Sequence, residues 1–422
     1  MVGNRASEIS ESTCEGNVAN ASDFLAEALH IAHRIRQAAR TFQDGVSWDT
    51  PVYHADARRW RLQPMPANLY NGLCGVALFL AATQMLLGEP DLAALARSAL
   101  ATVTQEAERS DYIQMLFEKG IGAALGQSSV IYTFVRASEL LGEERWLRHA
   151  QSFAEMLLPE RITSDRNFDL LSGAAGAALS LLTLYRATRL PEALDKAILC
   201  GEHLLQHRSP SREGPRAWKT ISNEQPLTGF SHGAAGIAYA LLKLYEATGE
   251  SSFRDAAVEA ETYETSVFQA EASNWPDFRE PPTENGYSCW TTWCHGAPGI
   301  ALSRLGALSI LDTPQVRADI SHGLRATRIV EAQGLDTVCC GTMGRIETFV
   351  LAAKKLNDPT YLEEARKMAS LVLRRSQQDG RYALGWKNAP YLASFHQGMA
   401  GIGYEFLRVA APVSLPSILL WE

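Results

Sequence analysis

Four of the seven cysteines in this 422-residue chain lie between positions 289 and 340. Among them, Cys294, Cys339 and Cys340 could supply three thiolates to one metal ion. Three protein ligands with a fourth position left open are typical of a catalytic zinc, whereas a structural zinc usually has four. Adjacent cysteines are unusual ligands, however, and in a reduced protein they can equally be small buried hydrophobic residues. The spacing alone therefore leaves zinc binding and packing as alternatives.

A glycine repeat indicates which elements must position these cysteines. A Gly-x-x-Gly unit followed by an apolar run occurs six times, and a degraded seventh copy lies at 126–129. Successive leading glycines are 45 to 63 residues apart, which is the signature of an internal repeat. Each apolar run, such as 177–185, is hydrophobic on most sides and predicts a buried helix, and the amphipathic segment after it predicts a surface helix.

Seven such helix pairs predict an all-α fold, a closed (α/α)7 toroid with seven inner and seven outer helices. An open solenoid has the same local pattern. Closure is favoured because a solenoid usually ends in polar capping repeats, and the final repeat here is as apolar as the middle ones. No comparable run alternates apolar and polar residues, so strands are expected to be minor.

The residue before each leading glycine is predicted to point into the mouth of the ring. Cys294 and Cys339 lie one residue further upstream, at the second position before Gly296 and Gly341, and Asp169 lies shortly before Gly173. Three thiols, two imidazoles and a carboxylate would thus converge on one rim, which suits a zinc site. The seven residues before the leading glycines are Asn71, Leu125, Ser172, His232, His295, Cys340 and Gln397.

Composition excludes several classes of partner. The 47 acidic and 39 basic side chains give a net charge of −8, and the basic residues are scattered, so nucleic acid and anionic membranes are not expected partners. The longest apolar run, 73–87, is too short to span a bilayer. The polar segment 1–20 is interpreted as a disordered tail or linker without a signal peptide, and 21–422 as the toroid. A cytoplasmic location is the resulting prediction.

Four segments combine the repeat glycines with the candidate site residues. In chain order they are Phe168-Asp-Leu-Leu-Ser-Gly173, Gly229-Phe-Ser-His-Gly-Ala-Ala-Gly236, Trp293-Cys-His-Gly-Ala-Pro-Gly299 and Cys339-Cys-Gly341. Taken in this order, they resemble the lanthionine synthetase C-like (LanC-like) cyclases. They look closest to the C-terminal cyclase domain of class II lanthipeptide synthetases (LanM type), and the chain end 415–422 is similar to the end of those enzymes. The resemblance covers roughly residues 24 to 422.

This resemblance implies a zinc-dependent cyclase with the double-ring toroid. It would add peptide cysteine thiols to dehydroalanine or dehydrobutyrine, forming lanthionine or methyllanthionine. By resemblance, Cys294, Cys339 and Cys340 are the Zn²⁺ ligands, and Cys340 stands where many members have histidine. His232 would act as general acid or base, with Asp169 as its partner.

Other positions remain open. Some family members have an arginine shortly before the first zinc cysteine. That arginine has no counterpart here, because Cys289 and Trp290 lie in the region. His295 is a weaker candidate than His232, since it directly follows a ligand, and Cys289 is given no role. Cys14, Cys74 and Cys200 are not grouped with the other candidate site residues and are expected to have no function.

The implied partners are a dehydrated precursor peptide with its leader and a dehydratase, present in cis or in trans. One alternative is a LanC-like protein that binds glutathione or a peptide without cyclase turnover. Two other toroid activities fit less well. A carbohydrate-active enzyme needs paired acidic residues at the rim, of which only Asp169 is obvious, and a prenyltransferase β-type subunit uses an Asp/Cys/His zinc set.

Overall fold

The structure is a computed structural model that describes residues 18–42, 45–54, 59–107, 118–212, 214–221, 223–284, 286–328, 334–385 and 392–422. Residues 1–17, which hold Cys14 and most of the predicted tail, lie outside this part of the chain. Asn20 begins the first helix, where its side chain accepts the backbone N–H groups of Ser22 and Asp23. The Asp23 carboxylate accepts the N–H of Asn20 in return, so the two residues form a capping box.

In the described part of the chain, each of the seven repeats leads into an inner helix. Six of these helices begin at the residue directly after the leading glycine, and the helix of the second repeat begins two residues after its leading glycine. They are apolar on nearly all sides because other helices, rather than water, surround them. Each packs against the next inner helix, and the last also packs against the first, which confirms the closed toroid. The inner helices are α2 (Leu73–Leu87), α4 (Ser128–Leu141), α7 (Ala174–Thr188), α9 (Ala234–Thr248), α11 (Ala297–Ala307), α13 (Thr342–Lys355) and α15 (Met399–Ala410).

Seven amphipathic helices form the outer ring, and six of them follow their inner partner along the chain. The seventh pair differs from the predicted order. Inner helix α15 packs against α1, which precedes the first repeat, so the two ends of the chain together complete the ring. The outer helices are α1 (Ala21–Gln37), α3 (Pro90–Glu106), α5 (Arg145–Glu155), α8 (Pro191–Gln206), α10 (Ser251–Ser266), α12 (Pro314–Thr327) and α14 (Thr360–Asp379), and a short helix α6 spans Pro159–Thr163.

The loops before the inner helices are joined by a belt of backbone hydrogen bonds around the mouth. Each loop donates one backbone N–H to a backbone carbonyl of the next loop. The donor lies two or three residues before the leading glycine of its own loop, and the acceptor lies two residues before the leading glycine of the next. The belt is closed, since the seventh loop donates to the first. Its bonds are Tyr70 to Ala124, Ala124 to Leu171, Leu170 to Ser231, Ser231 to Cys294, Cys294 to Cys339, Cys339 to His396 and His396 to Tyr70, with N···O distances of 2.9 to 3.4 Å.

Glycine is needed in these loops and in the first turns of the inner helices because other backbone atoms pass very close. A Cβ on Gly236 would lie 2.0 Å from the carbonyl oxygen of Phe230. Gly296 has φ of +87°, and a Cβ there would lie 1.7 Å from the carbonyl oxygen of Trp290. Any side chain at Gly296 would therefore displace the loop that carries Cys294.

Within the described ranges, strands are minor, as predicted, and form three two-stranded antiparallel hairpins. Hairpin β3–β4 lies beside the mouth. Its base is fixed by the Trp48 indole N–H, which donates to the carbonyl of Ile35 at 2.7 Å, and by the N–H of Met65, which donates to the carbonyl of Trp48. The strands are β1 (Arg40–Phe42), β2 (Gly45–Ser47), β3 (Asp49–His54), β4 (Arg59–Pro64), β5 (Ser209–Pro210) and β6 (Arg216–Ala217).

The C-terminal segment fills the centre of the ring. The Trp421 indole is buried, donates to the carbonyl of Ala123 at 3.1 Å and packs near the rings of Phe230 and Trp293. The mouth therefore has an apolar, aromatic floor. Among the described residues, no helix combines the length and the hydropathy needed to cross a bilayer.

Candidate metal centre

Three cysteine sulfurs meet at the mouth of the ring. The Sγ atoms of Cys294, Cys339 and Cys340 all lie within 4.8 Å of one another. Cys340 Sγ is 3.6 Å from Cys294 Sγ and 3.3 Å from Cys339 Sγ. The first two cysteines are buried, whereas Cys340 is partly exposed. Of the three, Cys340 is thus the most open to an incoming molecule.

Neighbouring loops and hydroxyl groups fix the positions of these sulfurs. The belt hydrogen bond from the N–H of Cys294 to the carbonyl of Cys339 joins the loops of the fifth and sixth repeats. The Thr292 hydroxyl lies 3.3 Å from Cys294 Sγ, and the Tyr70 hydroxyl donates to Cys339 Sγ at 3.1 Å. Burial, followed by the charge of Cys339, raises the pKa of Tyr70 well above its usual 10, so this phenol keeps its proton.

The donor set fits one zinc ion. With Zn–S bonds of ~2.3 Å and tetrahedral angles, ligand sulfurs lie about 3.8 Å apart. The two shorter separations, 3.3 and 3.6 Å, lie slightly below this value, and the third is within 4.8 Å. Hydrogen bonds from the other two thiols lower the pKa of Cys340 to about 4. The same contacts with burial raise the pKa of Cys339 well above 9, and the pKa of Cys294 is raised as well. Of the three thiols, Cys340 is therefore the one whose deprotonation its neighbours favour.

His232 and Asp169 form a hydrogen-bonded pair at the same mouth. His232 Nδ1 lies 2.6 Å from Asp169 Oδ2, and the carboxylate is fully buried while the imidazole is one-fifth exposed. The other carboxylate oxygen, Oδ1, accepts the backbone N–H of Ser172 at 2.8 Å. Because a carboxylate can only accept, Nδ1 must carry the proton, and Nε2 is left to exchange protons with a substrate.

His295 lies between this pair and the cysteines. Its ring centroid is 5.9 Å from that of His232, and its backbone N–H donates to the Thr292 hydroxyl. Burial lowers the pKa of His295 to about 4, despite the opposing influence of Cys294. A neutral, buried imidazole suits a supporting residue better than an acid.

A cation also lies near the cysteines, at a position that no sequence pattern marked. The Arg279 guanidinium is held by Asp277, whose Oδ1 accepts from Nε at 2.9 Å, and it lies over the ring of Trp290. Burial lowers the pKa of Arg279, but Asp277 and, more weakly, Cys294 and Cys340 raise it overall. The positive charge is therefore close enough to interact with both sulfurs.

Two cavities meet at Cys340. One, of about 460 Å³, is lined by Trp290, Cys289, Leu335 and Arg345 as well as Cys340. The other, of about 440 Å³, lies toward the β3–β4 hairpin and is also lined by Cys340 and Leu335. An extended molecule could thus pass Cys340 on either side.

Three further cysteines in the described part of the chain lie apart from the cluster. Cys289 Sγ donates to Gln269 Oε1 at 3.2 Å, and burial raises the pKa of Cys289 to about 11. Cys74 and Cys200 are buried in the apolar core.

Tyr70 and His396 also lie at the mouth and are not among the predicted site residues, although a signal for them is present in the sequence. Both occupy the second position before a leading glycine, as Cys294 and Cys339 do. The His396 ring stacks on Tyr70 at 4.7 Å between centroids and is fully buried. Arg279, by contrast, lies in the long loop between α10 and α11, outside the repeat, and no spacing marked it.

Comparison with known proteins identifies the family. The model of the lanthionine synthetase C-like protein family matches residues 63–420. The curated Danio rerio protein glutathione S-transferase LANCL1 is 21% identical over 365 residues, which cover 83% of this chain and 84% of that protein. The solved structure of nisin cyclase shares the fold, with a TM-score of 0.58 at 14% identity over 95% of this chain and 97% of that one. The chain therefore belongs to the lanthionine synthetase C-like family.

Proposed function

We propose that residues 21–422 form a zinc-dependent lanthipeptide cyclase of the LanM cyclase-domain type. The observation that carries this proposal is the convergence of three sulfurs and a His–Asp pair on one mouth that two cavities enter. The reaction forms a bond between a peptide cysteine sulfur and the β-carbon of a dehydroalanine or dehydrobutyrine. The C=C π bond breaks, and the α-carbon then takes a proton, giving a thioether ring.

Cys294, Cys339 and Cys340 would hold the zinc. When bound, zinc keeps a coordinated thiol deprotonated at neutral pH, so that the sulfur is a nucleophile. The buried pair, Cys294 and Cys339, anchors the centre. The partly exposed Cys340 faces the cavities that a peptide would occupy.

His232 would deliver the proton. Its Nδ1–H is committed to Asp169, so the protonated ring presents Nε2–H, and Nε2–H protonates the α-carbon of the enolate left by sulfur addition. The neutral ring can then accept the proton of the next peptide thiol at Nε2. Asp169 orients the ring and stabilises its charged form, in the way that a buried carboxylate supports a catalytic histidine elsewhere.

The proposal includes partners and a compartment. The substrate is a precursor peptide with its leader, in which a dehydratase acting in cis or in trans has already produced the alkene. Because the reaction requires reduced thiols, the expected compartment is a reducing one such as the cytoplasm.

The test mixes the purified chain with a dehydrated, cysteine-containing peptide. Ring closure leaves the mass unchanged, so free thiols are counted by mass spectrometry after alkylation. We expect thiols to disappear with enzyme and not without it, and about one zinc per chain by elemental analysis. Alkylation that remains complete in the zinc-loaded sample would refute the cyclase function.

The relative named as a glutathione S-transferase favours one second candidate. In that case the incoming thiol would be that of glutathione, and the electrophile a separate molecule or a dehydrated peptide. The two candidates are distinguished by adding glutathione to the same assay. A glutathione adduct raises the peptide mass by one glutathione, whereas intramolecular cyclisation does not.

A further inference from the structure

The cavity beside Cys340 extends from the candidate metal centre to a hairpin. On the ring side it is lined by Asn71, Cys340 and Gln397, all of which directly precede leading glycines. On the other side it is lined by Pro51 of β3 and Trp60 of β4. The hairpin is therefore one wall of the space through which a molecule reaches Cys340.

This hairpin presents an apolar face to solvent. In the register of the two strands Pro51 lies opposite Leu62, and residues two apart on a strand share a face, so Pro51, Trp60 and Leu62 lie on the same side. Trp60 is 50% exposed and Leu62 is 55% exposed. Exposed large apolar groups that adjoin a cavity are typical of binding surfaces.

The chemistry of the cavity identifies the occupant. Under the proposed function, a peptide must bring a cysteine to the sulfur cluster, and residues next to that cysteine must enter the cavities that meet at Cys340. Peptide residues that enter the cavity on the hairpin side meet Trp60 and Pro51, which line this cavity opposite Cys340. Aromatic side chains gain most from covering apolar groups, since they bury a large area with few rotatable bonds.

We propose that Pro51, Trp60 and Leu62 form a docking face for apolar side chains next to the reacting cysteine of the peptide substrate. This inference rests on the proposed function and adds a substrate preference to it. The face would select peptides by the residue beside the cysteine, while the sulfur cluster and His232 carry out the addition.

The test uses a synthetic peptide with one dehydroalanine and one cysteine, made with either Leu or Ser beside the cysteine. We expect the wild-type chain to show a lower KM for the Leu peptide. Trp60→Ala and Leu62→Ala should each raise that KM about tenfold, leave kcat nearly unchanged and remove the preference. Leu158→Ala is the matched control, because Leu158 is 53% exposed at the start of α6 and should have no effect.

Two results would overturn the docking face. One is a preference for the Leu peptide that persists in both variants, each verified as folded by thermal unfolding. The other is a wild-type chain that is dimeric in light scattering, together with a Trp60→Ala variant that is monomeric and keeps the preference for the Leu peptide. That result would assign the face to contact with a second copy of the chain.

Equilibrium binding separates this inference from the proposed function. Fluorescence anisotropy of the two labelled peptides measures docking without turnover. If the wild type consumes no thiol but binds the Leu peptide more tightly, and Trp60→Ala abolishes that difference, the cyclase function fails while the docking face stands. If turnover occurs and binding shows no difference between the peptides, the docking face fails alone.

Discussion

Replacing Asp169 with asparagine tests the His–Asp pair most directly. The backbone N–H of Ser172 donates to Oδ1, so an amide at position 169 would keep its oxygen at that site and place its NH₂ group toward His232. The amide would then donate to Nδ1, where the carboxylate accepts at 2.6 Å. As a result, the neutral imidazole would carry its proton on Nε2 and could no longer accept a thiol proton there.

The magnitude follows from the hydrogen bond that is lost. A hydrogen bond to a charged group contributes about 1.5–3 kcal/mol. If that stabilisation applies to the imidazolium that protonates the enolate, Asp169→Asn should lower kcat about 10- to 150-fold, since 1.4 kcal/mol is a factor of ten. KM should change little, because Asp169 is fully buried and cannot contact the peptide.

The assay measures initial rates of thiol loss at saturating peptide from pH 6 to 9. Asp165→Asn is the matched control, because Asp165 is a second buried carboxylate in the same loop and accepts the backbone N–H groups of Phe168 and Ala174. That variant should lower stability without altering the shape of the pH profile. A kcat for Asp169→Asn within threefold of wild type would refute the role given to the pair.

Four further predictions concern the metal centre and its loops. Cys340→His should keep about one zinc per chain but slow cyclisation, because a neutral ligand makes the site less electron-rich; an unchanged or faster rate would contradict this. Zinc loading at pH 7 should release about two protons, because the pKa of Cys340 is about 4 and the pKa values of the other two cluster thiols are raised. Calorimetry in buffers of different ionisation enthalpy measures this number. Zinc affinity should therefore fall as pH falls, about 100-fold per unit between pH 5 and 8, and release of three protons would be inconsistent with the low pKa of Cys340. Tyr70→Phe removes the hydrogen bond to Cys339 and should shift the sulfur-to-cobalt charge-transfer band of the Co²⁺-loaded protein; an unchanged spectrum would mean that the bond is absent. Gly296→Ala should lower the free energy of unfolding by about 3–5 kcal/mol and impair metal binding, because a Cβ there would clash with the backbone. Gly249→Ala is the control, since Gly249 also has positive φ but has open space around it, and it should lower the free energy of unfolding by only about 1–2 kcal/mol. Equal losses in denaturant titrations would contradict the steric argument.

Much of the ring could be predicted because its signal is local. The glycines and apolar runs lie within each repeat, so inner helix α2 spans the same residues, 73–87, as the apolar run identified in the sequence. The pattern also placed Cys294, Cys339 and Cys340 near one rim. Whether sulfurs from two repeats would approach within 4.8 Å depends on the belt of hydrogen bonds between loops, which no single repeat encodes.

The missed features arise from contacts between distant parts of the chain. Pairing of α1 with α15 and stacking of Tyr70 on His396 both depend on ring closure, which joins the first repeat to the seventh. Arg279 reaches the centre from a long loop outside the repeat, so its position follows from the path of that loop rather than from periodicity. In this chain a cation near the sulfurs therefore comes from a segment where spacing carries no information.

The belt also explains how one repeated loop can serve two purposes. Residues at the second position before each leading glycine take part in the belt, and their side chains are buried, as for Cys294 and Cys339, with the partly buried Tyr70 as the exception. Residues at the first position generally remain partly open to the mouth, as for His232 and Cys340, with His295 as the buried exception. Under the proposed function, anchoring and reaction would therefore fall to adjacent residues of the same loop. Since the adjacent pair Cys339 and Cys340 spans both positions, one dipeptide can hold the centre from within the ring and present a sulfur to the substrate.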